Sequence, residues 1–352
     1  MTPPTPKKLL DGELHIRRFR MFDDLTIPKL GMLNLIVGRN GTGKSSVLEA
    51  VALLATSGAN DVFGEILEGR GENIQRPVLP ESSPLFSLVN RGTPINQGFE
   101  LSAGGRSLVA RALYALMPDW PDPKVRTAEF PADDMQVRLL LVWQDNGLRT
   151  IPLDRPLFRA RGAVPDDLFL GCVMVGTNGV GMKELAALWD RVNLTDLEDR
   201  INRLIGECFP EVERVSVSIS DGSAVAKVRG VKRPVTLKSL GEGASRLFSL
   251  ALAAANAHDG VLLIDEVEIG IHYTLQLELW RFLASLSKEF NVQIFATTHS
   301  EDAVNAFGIV LHEDPESDGQ LVRLQSRRGV IQAVSFDTDE LDHARESGSE
   351  LR

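Results

Sequence analysis

The 352-residue chain has only two cysteines, Cys172 and Cys208, far apart and without His or Cys neighbours at ligand spacing. That excludes a disulfide framework and a cysteine-ligated metal centre, and both thiols are expected to be small buried residues in a reducing compartment. No apolar run is long enough to cross a bilayer; the longest, around 247–255, is roughly half the required length. The first residues, Met1-Thr2-Pro3-Pro4-Thr5-Pro6-Lys7-Lys8, lack the apolar core of a signal peptide. The expectation is a cytoplasmic chain with no membrane partner. Positive charge is scarce as well: 38 Lys and Arg stand against 48 Asp and Glu, a formal net charge of −10. A surface that grips nucleic acid everywhere by displacing counterions is thereby excluded. Small basic clusters remain at Arg17, Arg18 and Arg20 and at Arg327-Arg328, and each reads as a solvated face before it reads as a binding patch. Heptads, internal repeats and the Asn-Lys-x-Asp motif that reads guanine are all missing.

What is present is an ordinary globular composition, 43% hydrophobic and 24% charged, with strands and helices in alternation. Residues 13–22 alternate apolar and basic side chains, which predicts an edge strand or hairpin arm, with Asp23-Asp24 and Pro28-Lys29 as turn residues. Met32-Leu33-Asn34-Leu35-Ile36-Val37 reads as a buried parallel strand, and helical spacing follows over 45–57. Residues 58–165 are rich in Gly, Pro, Asn and Asp, with loops at Gly104-Gly105 and over 118–123. Within them, 135–143 and 148–153 flank Asn146-Gly147 as a hairpin. Helical periodicity returns over 185–204, and 215–231 is strand-like with a turn at Asp221-Gly222. Then come a helix over 240–256, a buried strand over 261–264, a helix over 274–290, a buried strand over 292–297 and a short helix. This order predicts an α/β fold with a largely parallel sheet.

Three strand ends carry chemistry. Gly38-Arg39-Asn40-Gly41-Thr42-Gly43-Lys44-Ser45 fits G-x-x-x-x-G-K-[ST] at every fixed position, between a strand and a helix. Its glycines let successive N–H groups point at phosphate oxygens, and the following helix, from Ser45 and Ser46 onward, adds its positive end. Lys44 would bridge the β- and γ-phosphates, and Ser45 would offer its hydroxyl to Mg²⁺ bound with ATP. Val261-Leu262-Leu263-Ile264-Asp265-Glu266 is a Walker B pattern: Asp265 orients the metal's waters and Glu266 polarises the attacking water. Ile294-Phe295-Ala296-Thr297-Thr298-His299 ends in an imidazole that can bond the γ-phosphate and report its loss. Ser239-Leu240-Gly241-Glu242-Gly243-Ala244 opens the helix before the Walker B strand as a second phosphate-binding helix end. With a P-loop already in the chain, it makes sense as the cap of a nucleotide held by another copy.

In that order the P-loop, the Ser-x-Gly-x-Gly helix start, the Walker B strand and the switch histidine resemble the ATP-binding-cassette ATPase head. Ser239-Leu240-Gly241-Glu242-Gly243, Leu263-Ile264-Asp265-Glu266-Val267-Glu268-Ile269-Gly270-Ile271-His272 and Gln293-Ile294-Phe295-Ala296-Thr297-Thr298-His299-Ser300 resemble the AAA-type ABC ATPases of the RecF/OLD-like group. Trp189 and the closing Phe336-Asp337-Thr338-Asp339-Glu340-Leu341 fit that group too. The resemblance implies an ABC-type P-loop NTPase head with a mostly parallel sheet, an antiparallel β lobe and a helical middle region. The expected division is 1–57 and 235–312 for the head, 58–234 for an inserted middle lobe, and 313–352 for a C-terminal strand and tail. It implies a head-to-tail homodimer around two ATPs. The partner's Ser239, Gly241, Glu242 and Gly243 would meet each nucleotide, with the signature-serine place falling to Ser239 by motif shape or Gly241 by helix register. Glu268, Gly270 and His272 would form the D-loop at the junction. Many relatives pair such a head with a Toprim nuclease. Here Asp337-Thr338-Asp339 has the Asp-x-Asp spelling, but reads as tail because so little chain follows it. The expected role is therefore regulation of a separate effector, a Toprim-type nuclease in antiphage defence being the candidate. A RecF-like DNA-binding repair ATPase is the alternative, leaving nucleic acid open as a partner, and a transporter subunit ranks below both.

Overall fold

The computed structural model describes residues 9–72, 87–94, 97–115, 127–128, 138–144, 148–152, 171–218, 221–314 and 316–341. The first third contains β1 (Leu14–Phe19), β2 (Phe22–Ile27), β3 (Leu33–Gly38), α1 (Lys44–Ala55) and α2 (Asn60–Gly69). There follow β4 (Phe99–Ala103), β5 (Arg106–Ala115), β6 (Thr127–Ala128), β7 (Arg138–Gln144), β8 (Leu148–Pro152) and β9 (Cys172–Val175). Next come α3 (Met182–Val192), α4 (Asp196–Cys208), β10 (Val212–Val217), β11 (Ala224–Val228), β12 (Val235–Thr236) and α5 (Glu242–Asn256). The chain continues through β13 (Val261–Ile264), α6 (Gln276–Phe290), β14 (Gln293–Thr297), α7 (Glu301–Glu313), β15 (Gly319–Arg327) and β16 (Val330–Phe336).

The buried runs assemble as expected into one sheet of order β16-β15-β3-β14-β13-β9, parallel except for β16. Every residue of β3, β13 and β14 is buried, because layers cover both faces. Alternation then decides which layer each side chain enters. Leu33, Leu35, Val37, Leu262, Ile264, Ile294 and Ala296 join the core under α3 to α7. Ile36, Val261, Leu263 and Phe295 join the core around α1. Helix α1 lies between this sheet and an antiparallel sheet of order β2-β1-β4-β5-β7-β8, with β6 paired to β5. The P-loop helix is therefore clamped from both sides, and ten of its twelve residues from Ser46 onward are buried.

Several details depart from the sequence reading. The β1–β2 turn is Arg20-Met21, since Phe19 pairs with Phe22, and Arg20 adopts a left-handed φ of 54°. Asp23 and Asp24 instead sit on the exposed face of β2, where Asp24 meets Arg17 at 3.2 Å. The single helix expected over 185–204 is two. Leu194, at φ 62°, breaks it, and Thr195-Asp196-Leu197-Glu198 starts the second: Thr195 Oγ1 accepts from Leu197 N and Glu198 from Leu194 N. Residues 172–175, inside the stretch assigned to a middle lobe, pair with the Walker B strand. Cys208 is exposed at the end of α4, beyond the core that Ile201, Leu204 and Ile205 enter, and Cys172 is half-buried. The hairpin around Asn146-Gly147 has both its strands, paired from Gln144↔Leu148 to Leu140↔Pro152; residues 145–147 and the loop at 118–123 lie outside the described residues. Asp337 and Glu340 cap each other's backbone N–H at 3.0 Å, so Asp337-Thr338-Asp339 is a helix start.

Candidate nucleotide site

The parallel sheet brings the ends of β3, β13 and β14 side by side, which is where ligands sit in open α/β sheets. The loop after β3 is shaped by glycine: Gly38, Gly41 and Gly43 have φ of 145°, 77° and 93°. A Cβ on Gly43 would fall 2.5 Å from Phe22 Cζ and 2.7 Å from Met21 Sδ, so the β1–β2 turn packs directly under the loop. Thr42 closes the loop on itself through N and Oγ1 to Arg39 O, while Arg39, Asn40 and Gly41 are exposed. Gly43 caps α1 with no side-chain bond, which leaves the first amides of the helix for an anion.

Lys44 is buried, donating to Gly38 O at 2.8 Å and lying 3.3 Å from His299 Nδ1. Burial lowers its pKa, and the charges of Asp265, Glu266 and Glu268 oppose that shift. Ser45 Oγ donates to Asp265 at 2.9 and 3.2 Å, joining Walker A to Walker B across 220 positions. Thr297 Oγ1 donates to Asp265 at 2.6 Å and accepts from Glu266 N at 2.8 Å. Glu266 itself has a φ of 52°, a strained conformation at a strand end, and its carboxylate lies 3.6 Å from His299 Nε2. Ser46, expected at the nucleotide, receives a hydrogen bond from Arg70 at 3.2 Å. Arg70 in turn joins the buried pair Glu49–Arg20.

Lys44, Ser45, Asp265, Glu266 and His299 thus converge. Glu268, read as a D-loop residue, also turns inward: its Oε1 accepts from His299 N at 2.8 Å, and its Oε2 is buried with no partner among the described residues. The signature residues stand apart. Ser239 Oγ donates to Thr236 O at 2.6 Å, and Glu242 pairs with Lys238 at 3.1 Å. Gly241, at φ 116°, caps α5. A Cβ on Gly243 would lie 3.9 Å from Ile271 and 4.0 Å from Leu275, so this segment packs against the loop holding Gly270 and His272. His272 there bonds Thr274 at 2.9 Å and stacks on Tyr273. Thr297 was invisible in the sequence, where a threonine ending a strand is ordinary. Replacing it with Val should lower kcat about 10- to 100-fold and raise the Mg²⁺ needed for half-maximal rate, as loss of a group that orients a metal ligand does; a Mg²⁺ titration of steady-state hydrolysis measures both.

The family described as "AAA domain, putative AbiEii toxin, Type IV TA system" matches residues 33–305. An ATP/GTP phosphatase of Helicobacter pylori is 26% identical over 333 residues, covering 85% of this chain and 88% of that protein. The DNA replication and repair protein RecF of Xanthomonas axonopodis pv. citri is 39% identical over 79 residues, 18% of this chain and 22% of RecF. Among solved structures, the SMC head domain from Thermotoga maritima covers 94% of this chain and 100% of its own at 17% identity and a TM-score of 0.46.

Proposed function

The chain belongs to this AAA-domain family, and on that premise we propose that the ATPase works as a timing device. ATP closes two copies head to tail, hydrolysis reopens them, and a separate effector reads the state. The observation that carries the proposal is the surface beside the signature. Ile269, Tyr273 and Leu275 are 37%, 63% and 45% exposed, an apolar set that a single copy leaves in water on the loop whose Ile271 and Leu275 reach Gly243. A second copy covers it when its nucleotide meets Ser239, Gly241, Glu242 and Gly243.

Within each site the all-oxygen pair of Ser45 and Asp265 suits a hard divalent cation, so these two residues would hold Mg²⁺. The ion, when bound, would neutralise charge on the β- and γ-phosphate oxygens. The amides of 38–45 would cradle the phosphates, with Lys44 supplying the charge that its bond to Gly38 O now occupies. Glu266 would orient the attacking water and take its proton. Thr297 would hold Asp265 and Glu266 in register, and His299 would touch the terminal phosphate from between Lys44 and Glu266.

We place the protein in the cytoplasm; among the described residues no helix is long and apolar enough to cross a membrane. A Toprim-type nuclease in antiphage defence is our candidate effector, a setting that a family described through a toxin–antitoxin system supports. A RecF-like duplex clamp is the weaker reading. Arg17, Arg18 and Arg20 face Asp24, Glu100 and Glu49, so their charge is already matched, and salt-dependent, ATP-stimulated DNA binding would be needed to revive it. The double variant Tyr273→Glu/Leu275→Glu tests the timing proposal. It should bind ATP within about twofold of the parent, because Tyr273 and Leu275 lie outside the P-loop segment, yet fail to dimerise in ATP, since the added carboxylates would be buried at the junction without counter-charges. Unchanged ATP-dependent dimerisation, measured by light scattering, would remove this surface from the mechanism.

A further inference from the structure

Arg246 lies one turn into α5 and is 8% exposed. Its Nε and Nη2 are buried and, among the described residues, have no hydrogen-bond partner. Burial pushes its pKa down, and among the described residues no carboxylate acts against that. Arginine does not shed its charge to escape such a place, and an uncompensated buried ion is costly. A guanidinium kept there is kept for an anion that the described residues do not supply.

The surroundings indicate which anion. Arg246 Nη1 comes within 3.3 Å of where a Cβ on Gly179 would be, so this arm of the guanidinium reaches the turn Gly176-Thr177-Asn178-Gly179-Val180-Gly181. That turn joins β9 to α3. It is folded by Gly179 N donating to Gly176 O at 2.9 Å, with Gly179 at φ 71°. Three glycines leave the backbone approachable, and Gly181 caps α3 with no side-chain bond, so the helix's first amides are open to an oxyanion. The turn stands at the same sheet edge as the Walker B carboxylates. Asp265 N donates to Val175 O at 2.9 Å, immediately before Gly176. A planar fork, free amides and glycine are the chemistry of a phosphate group.

We propose that Arg246 and the 176–181 turn form a second oxyanion site, which takes a phosphate group at the Walker B edge of the sheet, one strand beyond Asp265 from the P-loop side. The phosphate is either the terminal group of bound ATP or free phosphate after hydrolysis. Only the first of these rests on reading 38–46 as the nucleotide site.

Isothermal titration of the full chain, Arg246→Gln and Arg246→Met separates the two. The probes are ADP, a non-hydrolysable ATP analogue, and inorganic phosphate added to ADP-saturated protein. Removing an unpaired buried charge does not endanger folding, and ADP affinity within about twofold of the parent confirms this for both variants. Loss of one bidentate charged contact should weaken binding about tenfold or more. Such a loss for the analogue alone assigns the terminal phosphate; a loss for inorganic phosphate assigns the free ion. Unchanged affinity for both in both variants overturns the proposal. If the parent itself binds no ADP, the nucleotide reading fails instead, and inorganic phosphate alone, bound by the parent and not by the variants, still decides for or against the Arg246 site.

Discussion

Glu266→Gln should hydrolyse ATP about 10²- to 10⁴-fold more slowly than the parent while binding it as tightly, the range a lost general base commands. The substitution is isosteric, and the Glu266 backbone N–H that Thr297 accepts is unchanged. The side chain is half-buried near His299, so an amide fits where the carboxylate was. What disappears is the negative oxygen that polarises the water. Because Asp265 and Ser45 are left in place, Mg²⁺ and ATP should still bind, and the protein should collect in the ATP-bound state. Single-turnover hydrolysis beside equilibrium ATP binding checks both halves. Equal loss of affinity and rate would instead make Glu266 a binding residue.

Lys44→Ala should fail one step earlier. The ammonium is buried, held by Gly38 O and adjacent to His299, with three carboxylates acting on it. Removing it takes away the ammonium charge that offsets Asp265, Glu266 and Glu268 beside the phosphates. Charge-assisted bonds of this kind contribute about 1.5–3 kcal/mol each, so ATP affinity should fall about tenfold to a hundredfold. The rate should fall further, about 10²- to 10³-fold in kcat, because charge builds on the transferred phosphoryl in the transition state. Titration with ATP and ADP beside steady-state kinetics measures it. An unchanged kcat would show that Lys44 serves the loop's fold alone, through Gly38 O. The two variants therefore separate: one binds ATP as tightly as the parent and waits, the other binds it more weakly.

The parts legible in the sequence are those where one local pattern has one structural outcome. A fully buried strand ending in glycine, lysine and serine leaves the chain few alternatives, and β3, β13 and β14 fall where their apolar runs placed them. The resemblance to ABC-type P-loop ATPases, drawn from the motifs after those strands, agrees with the family the chain belongs to. Other parts depend on partners far away in sequence. Cys172-Val173-Met174-Val175 is too short to announce a strand and becomes one by pairing with 261–264. The Arg20-Met21 turn uses a left-handed arginine, where sequence rules look for Asp, Asn or Gly. Arg246 carries no local signal on its helix, and its burial beside the 176–181 turn comes from packing alone. Glu268 reads as part of a junction, yet its bond to His299 N ties that loop to the switch histidine within one chain. Those bonds join the three strand ends into one centre. What the second copy adds to it is a matter for solution.

Static light scattering of Glu266→Gln with Mg²⁺ and either ATP or ADP tests that most directly. With ATP the mass should be twice that of the 38.6 kDa chain; with ADP, or with Lys44→Ala in either nucleotide, it should be that of a single chain. A Glu266→Gln protein that binds ATP and remains a single chain at every concentration would contradict the closing of two copies over the nucleotide.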